Sequence, residues 1–205
     1  MKVLNLYSGI GGNRRIWKDV DVVAVENNKD IAKIYQYFFP QDKMIIADAH
    51  QFLLEHFEEF DFIWSSPPCP THSDIRRCGV HKGQYKALYP DMKLYEEIIL
   101  LKHFAPLTTK WVVENVKPYY KLLIPGIERE RHIFWSNFFI GEKLGESERK
   151  HNSIVGSESV YGFNINKYNV DNKRKIMRNL VNPHLGLHIL EASKKNLYPE
   201  LFNKP

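Results

Sequence analysis

Val3-Leu4-Asn5-Leu6-Tyr7-Ser8-Gly9-Ile10-Gly11-Gly12 opens on a short apolar strand, Val3 to Tyr7, and runs into a glycine-rich turn before Arg14 to Trp17 begin a helical segment. Val20 to Val25 read as a second apolar strand that ends at Glu26. Ile31, Ile34, Tyr35 and Phe38 then recur at helical spacing until Pro40 stops the helix. Met44 to Ile46 form a third strand, Asp48 leads into a helix through Phe57, and Phe60 to Trp64 return to strand character. Short strands that alternate with helical segments predict an α/β fold with a mostly parallel sheet and crossover helices.

The rest of the chain extends that pattern. Leu94, Ile98, Leu101 and Ala105 share one helical face, Trp111-Val112-Val113 supplies another strand, and Ile133 to Ile140 a strand or strand pair. Gly141 to Asn172 is polar, lacks a clear period and reads as a small irregular insertion. Pro183 starts a final helix carrying Leu187, Leu190 and Ala192. The 205 residues suit one domain with a substantial core. Lys and Arg total 29 against 24 Asp and Glu, a net charge of +5 that favours an anionic partner without identifying it. The two cysteines, Cys69 and Cys78, form no CxxC pair, which argues against a disulfide scaffold and a structural zinc site. A cytoplasmic or other reducing compartment is expected. No stretch reaches about 18 consecutive apolar residues, so neither secretion nor membrane insertion is expected.

Three strand ends carry groups suited to a nucleotide-like ligand. The glycine turn allows close backbone approach, and a helix amino terminus after it attracts negative charge. Glu26 is suited to accept ribose hydroxyls and Asp48 an adenine amino proton, although acidic residues at such positions also cap helices. GIGG is not the full dinucleotide fingerprint, which leaves an NAD-binding domain as the lesser alternative, and the Walker lysine of an ATP site is missing.

Ser66-Pro67-Pro68-Cys69 follows a strand, where two prolines restrict the backbone and hold the thiol at a carboxyl end of the sheet. A buried structural thiol is the alternative. Glu114-Asn115 comes directly after Trp111-Val112-Val113, so a neighbouring strand end brings a carboxyl group toward Cys69. That pair suits attack on an electron-poor ring, with the thiolate adding to carbon and the acid protonating a ring nitrogen; a cap or a salt bridge is the competing role for Glu114. Arg129 and Arg131 fall on one side if Glu128 to Phe134 is extended. Arg76, Arg77 and Lys82 form a basic group in the long loop after Cys69, suited to nucleic-acid phosphates or to ordinary solvation. The histidines at 72, 81 and 132 make no metal-ligand pattern, and no metal is expected.

Taken in order, Asn5 to Gly12, Glu26, Asp48, Pro67-Pro68-Cys69, Glu114-Asn115-Val116 and Arg129-Glu130-Arg131 resemble the cytosine-5 DNA methyltransferase family, and Asn182-Pro183 with its helix (182–197) resembles the segment that completes that family's catalytic domain. The resemblance implies a Rossmann-like, S-adenosylmethionine-dependent enzyme that methylates cytosine C5 in duplex DNA through a covalent cysteine intermediate, with the base flipped out. Restriction-modification is the implied setting. The resemblance assigns Tyr7, Gly9, Gly11, Gly12, Glu26, Asp48, Pro68 and Asn182 to the cofactor. Cys69 becomes the nucleophile at C6, Glu114 the group at N3 and Arg131 the contact to O2, with Arg129 supporting them. Ser73, Arg76, Arg77, Lys82, Asn115 and Val116 fall to the substrate. Ser66 stands where the family has glycine, Pro70 where it has glutamine, Ile127 where it has glutamine and Val181 where it has glycine. Between Arg131 and Asn182 there is too little chain for a large recognition domain, so Gly141 to Asn172 reads as a reduced one. RNA or free cytosine is the alternative substrate, a noncatalytic DNA-binding subunit the alternative class, and a specificity or activating protein the expected partner.

Overall fold

In a computed structural model, which describes residues 1–129, 131–141 and 159–195, five strands run parallel. They are β1 (Lys2–Leu6), β2 (Asp21–Val25), β3 (Lys43–Ile45), β4 (Phe62–Ser65) and β5 (Lys110–Val116). A hairpin of β6 (Ile127–Arg129) and β7 (His132–Ser136) completes a sheet of order β3-β2-β1-β4-β5-β7-β6, in which β7 lies antiparallel to β5 and β6. This is a mixed α/β Rossmann-like fold with a mostly parallel sheet. A two-stranded ribbon, β8 (Ser159–Val160) with β9 (Phe163–Asn164), stands apart from the sheet.

The strands are apolar on both sides because both faces are covered. Val3, Val22, Ala24, Phe62, Trp64, Val112 and Phe134 turn to one face. They pack with Ile34 and Tyr35 of α1 (Lys29–Phe38) and with Leu185, Ile189 and Leu190 of the C-terminal helix. Leu4, Val23, Val25, Ile63, Trp111, Val113 and Ile133 turn to the other. There they meet Ala49 and Leu53 of α2 (Ala49–His56) and Leu94, Ile98 and Leu101 of α4 (Lys93–Phe104). The period-2 alternation of each strand thus feeds two cores.

Arg14 to Trp17 do not begin a helix, contrary to the sequence expectation. The segment runs in successive turns, held by a bidentate ion pair from Arg14 to Asp42 (Nε–Oδ2 2.8 Å, Nη2–Oδ1 2.9 Å) and by Arg14 Nη1 donating to the Trp17 carbonyl at 2.8 Å. Trp17 fills the core against Phe62 and Trp64. The helix layer beside this turn is supplied by the C-terminal helix (Pro183–Lys194), whose Gly186 lies on the Asn13 backbone. A Cβ at Gly186 would come within 2.3 Å of the Asn13 carbonyl oxygen. Gly186→Ala is therefore expected to cost about 2 kcal/mol or more, read as a lowered urea midpoint at unchanged slope.

Two further helices escaped the sequence reading. α3 (Asp74–His81) occupies part of the stretch after Cys69, and α5 (Lys173–Arg178) precedes the C-terminal helix, here α6. Residues 142–158 of the expected insertion, and 196–197 of the expected final helix, lie outside the described residues. In the remainder of the insertion, Phe163 and Ile165 are fully buried in the main core, with Phe163 edge-on to Phe38.

Candidate active site

The strand order reverses between β1 and β4, which opens a crevice at the carboxyl ends of the strands. A cleft there is lined by Tyr7, Glu26, Asn27, Asp48, Ala49, Pro68, Asp91 and Lys93. Tyr7, Glu26, Asp48 and Pro68 were expected from the sequence; Asn27, Ala49, Asp91 and Lys93 were not. Asp91 and Lys93 enter from the start of α4, far along the chain, and no local signal marks them.

Glu26 organises the cleft. Its Oε2 accepts from the Gly9 N–H and its Oε1 from the Asn28 N–H, both at 3.0 Å, so one carboxylate pins the turn after β1 to the turn after β2. Each oxygen keeps acceptor capacity for a hydroxyl. Asp48 caps α2 through the Gln51 N–H at 2.9 Å, and that hydrogen bond, with Lys93 nearby, holds its carboxyl below the usual range. The cap and the cleft-lining position coexist. Tyr7 sits in the left-handed region at φ 53°, with its hydroxyl donating to Glu97 at 2.6 Å. Burial first, then Glu97, pushes that phenol far above its ordinary value. Glu97, fully buried, also receives the Ser65 hydroxyl at 2.5 Å and pairs with His50 at 3.0 Å. Sequence reasoning missed this network under the cleft because Glu97 lies on the inward face of a helix with no motif around it.

The three turn glycines divide their roles. A Cβ on Gly9 would meet open space, whereas one on Gly11 would collide with the Phe39 and Tyr35 rings and one on Gly12 with the Val181 backbone. Gly9 needs its freedom for the positive φ of 54° and the hydrogen bond to Glu26, whereas Gly11 and Gly12 serve packing. Asn182 is not among the cleft-lining residues: it is buried as the N-cap of α6, accepting from His184 N–H at 2.9 Å.

Cys69 lies beyond β4, and its carbonyl accepts the His72 and Ser73 N–H groups, each at 3.0 Å, which starts α3 directly from the thiol-bearing turn. Ser73 is the N-cap position of that helix. Asn115 Nδ2 donates to the Pro67 carbonyl at 2.9 Å and ties the proline loop to β5. Val116 N–H in turn donates to the Asn115 side chain at 2.9 Å. Burial pushes the Cys69 thiol up, and Glu114 pushes the same way, while Lys175 and Arg131 act against them.

Glu114 and Asn115 lie within β5 rather than after it, because antiparallel pairing with β7 carries the strand on to Val116. Burial opposes ionisation of Glu114, but the His132 ring, the Ser66 hydroxyl and the Arg131 charge together hold its carboxyl below the usual range. His132 Nδ1 is hydrogen-bonded to Glu114 Oε1, and Arg131 Nε lies 3.0 Å from His132 Nε2. Arginine only donates, so His132 accepts at Nε2 and gives its Nδ1 proton to Glu114. Ser66, the departure from glycine, thus supports the carboxylate, and Trp64 Nε1 donates to its oxygen at 2.8 Å. His132 was set aside in the sequence as no metal ligand; register with Val116 is what brings it to Glu114.

Arg129 and Arg131 are held by different carbonyls. Arg129 ends β6 and its Nη2 donates to the Gly141 carbonyl at 2.5 Å. Arg131 sits in the turn before β7, and its Nη2 reaches the Arg178 and Leu180 carbonyls at 3.3 and 3.4 Å. Arg76 donates to the Lys86 carbonyl and lies over the Tyr85 ring; Arg77 donates to the Tyr119 carbonyl and lies over that ring. Lys82, exposed, ends α3 as its C-cap.

A family model described as C-5 cytosine-specific DNA methylase matches residues 1–120. The human tRNA (cytosine(38)-C(5))-methyltransferase is 33% identical over 86 residues, 38% of this chain and 22% of that protein. The Spodoptera frugiperda protein of the same name is 33% identical over 75 residues, 33% of this chain and 23% of its own length. The crystal structure of a Spodoptera frugiperda DNMT2 mutant is 26% identical, with a TM-score of 0.38, over 57% of this chain and 35% of that one. The matches thus span less than a quarter of these two curated relatives. They overturn the expectation of a DNA-specific enzyme acting on duplex DNA, because these relatives are named for tRNA. No helix among the described residues is long and apolar enough to cross a membrane.

Proposed function

The chain belongs to the C-5 cytosine-specific DNA methylase family, and from that premise we propose that it transfers a methyl group from S-adenosylmethionine to C5 of a cytosine in RNA, with tRNA as the substrate class. The observation that carries the choice of RNA is the identity to tRNA (cytosine(38)-C(5))-methyltransferases. The Rossmann-like methyltransferase fold supports S-adenosylmethionine as cofactor. The residues present suit it: a carboxylate that still has acceptor capacity, an open face over Gly9 and a mixed acidic and basic rim at Asp91 and Lys93. When bound, the cofactor supplies an electrophilic methyl group.

In this reading Glu26 holds the ribose, Asp48 the adenine, and Tyr7, Gly9 and Pro68 shape the cleft. Cys69 adds as thiolate to cytosine C6, which makes C5 nucleophilic, while Glu114 in its acid form gives a proton to N3. After methyl transfer, loss of the C5 proton expels Cys69. Asn115 fixes the proline loop, and His132 and Ser66 orient Glu114. Arg131 and Arg129 belong to the same constellation, and Ser73, Arg76, Arg77, Lys82 and Val116 to the substrate side. We place the reaction in one catalytic domain (1–205) with a short insertion (141–172) and a completing C-terminal segment (182–197), working in a reducing compartment.

Incubation with methyl-labelled S-adenosylmethionine and separate tRNA, DNA and free-nucleotide pools tests the substrate. Label in tRNA, lost on ribonuclease treatment, is expected; label confined to DNA or to free nucleotide overturns the reading. Glu26→Ala is expected to weaken S-adenosylmethionine binding at least about tenfold by calorimetry, since hydrogen bonds to a charged group contribute roughly 1.5–3 kcal/mol. Unchanged affinity would remove Glu26 from the cofactor site.

A further inference from the structure

Helix α5 is built from Lys173-Arg174-Lys175-Ile176-Met177-Arg178, and its two faces differ in chemistry. Ile176 and Met177 pack against the main core, and Lys173 is turned back to donate to the Asn166 carbonyl at 2.7 Å. Arg174, Lys175 and Arg178 fall on the opposite face at i, i+1 and i+4, exposed, and none makes an ion pair with a described residue. Lys175 and Arg178 lie in the last turn, where the helix dipole favours cations, but Arg174 stands a full turn before Arg178 and repels it.

The helix is also joined to the catalytic constellation. Arg131 Nη2 grips the carbonyls of Arg178 and Leu180 at the end of α5, while its Nε contacts His132, the partner of Glu114. The chain of contacts runs Glu114, His132, Arg131, α5. The charge of Lys175 is felt at Cys69, where it favours the thiolate. A cationic face tied through Arg131 to the Cys69 and Glu114 constellation, rather than scattered over the surface, is an arrangement suited to neutralising nucleic-acid phosphates.

We propose that Arg174, Lys175 and Arg178 of α5 form a phosphate-binding surface for the RNA strand on either side of the target cytosine. The inference rests on the RNA reading above and deepens it by naming an element that holds the substrate. Since these side chains meet backbone rather than base edges, the surface contributes affinity and salt dependence without sequence preference.

The test is fluorescence anisotropy of a labelled tRNA transcript, titrated with the wild-type protein, with Arg174→Glu/Lys175→Glu/Arg178→Glu and with Arg174→Gln/Lys175→Gln/Arg178→Gln, from about 50 to 200 mM salt. Both variants should keep the wild-type melting temperature and S-adenosylmethionine affinity. The expected result is at least about tenfold weaker RNA binding and, for the glutamine variant, a salt slope shallower by about 0.7 for each lost phosphate contact, near 2 in all. Should the reversed-charge variant fail to fold, the glutamine variant decides. Wild-type binding with unchanged affinity and slope in the glutamine variant overturns the α5 surface and leaves the RNA reading standing. Absence of RNA binding by the wild-type protein at low salt overturns both.

Discussion

Cys69→Ala is expected to abolish methyl transfer to the limit of detection while S-adenosylmethionine binding stays within about twofold of wild type. The change removes the sulfur that forms the covalent bond, and that sulfur is absent from the cleft lining around Glu26 and Asp48. A methyl-transfer assay beside calorimetry reads both quantities, and residual turnover above about one per cent would refute the nucleophile. Cys78, exposed on α3, provides the control, with Cys78→Ala near wild type. The pH profile follows from the direction of the shift. Burial and Glu114 raise the thiol's pKa, so the thiolate becomes more populated as pH rises. Because the reaction also needs Glu114 as the acid, which becomes scarcer as pH rises, kcat/KM of the free enzyme should stay nearly flat between the lowered Glu114 pKa and the raised Cys69 pKa and fall on either side of that window.

Glu114→Gln is expected to reduce kcat by about two to four orders of magnitude, the usual range for losing a positioned proton donor. The amide preserves volume and can still hydrogen-bond the base, so KM should change far less than kcat. Near-normal turnover would reject the role. The free protein has its protons in the opposite arrangement from the one the reaction needs: burial keeps Cys69 a thiol and the His132, Ser66 and Arg131 contacts keep Glu114 a carboxylate. Ordinary cysteine and glutamate already differ by about four pKa units, roughly 6 kcal/mol, and both shifts widen that gap. The bound cytosine must narrow it, which ties the chemistry to substrate binding. His132→Phe, which removes one donor to Glu114, should lower kcat less than Glu114→Gln does and shift the acid limb of its pH profile.

The sheet was legible because its strands are short apolar runs at carboxyl ends that carry glycine, glutamate, aspartate or cysteine, and helical spacing between them left little choice of connection. Pro67-Pro68-Cys69 and Glu114 were legible through motif chemistry. What escaped depends on tertiary register. His132 meets Glu114 only because β7 pairs antiparallel with β5, and Glu97 meets Tyr7 and Ser65 only because α4 packs under the cleft. Helix α3 hides in a polar stretch with no apolar face long enough to read. The helix expected at Arg14 failed because Arg14 is better satisfied by Asp42 and the Trp17 carbonyl than by a helical turn.

The missing helix after β1 has a temporal consequence. Gly12 and Asn13 are closed over by Val181 and Gly186, far along the chain, so the turn waits for a segment synthesised much later. A nascent chain paused before Leu180 carries its strands and most helices but an unroofed turn, with Ile10 and Trp17 lacking the packing that α6 brings. Non-local closure of this kind is slow and leaves apolar surface open to off-pathway association while it is pending. Competence to bind cofactor should thus arrive abruptly, once the segment from Leu180 through α6 has emerged, rather than accumulate with length.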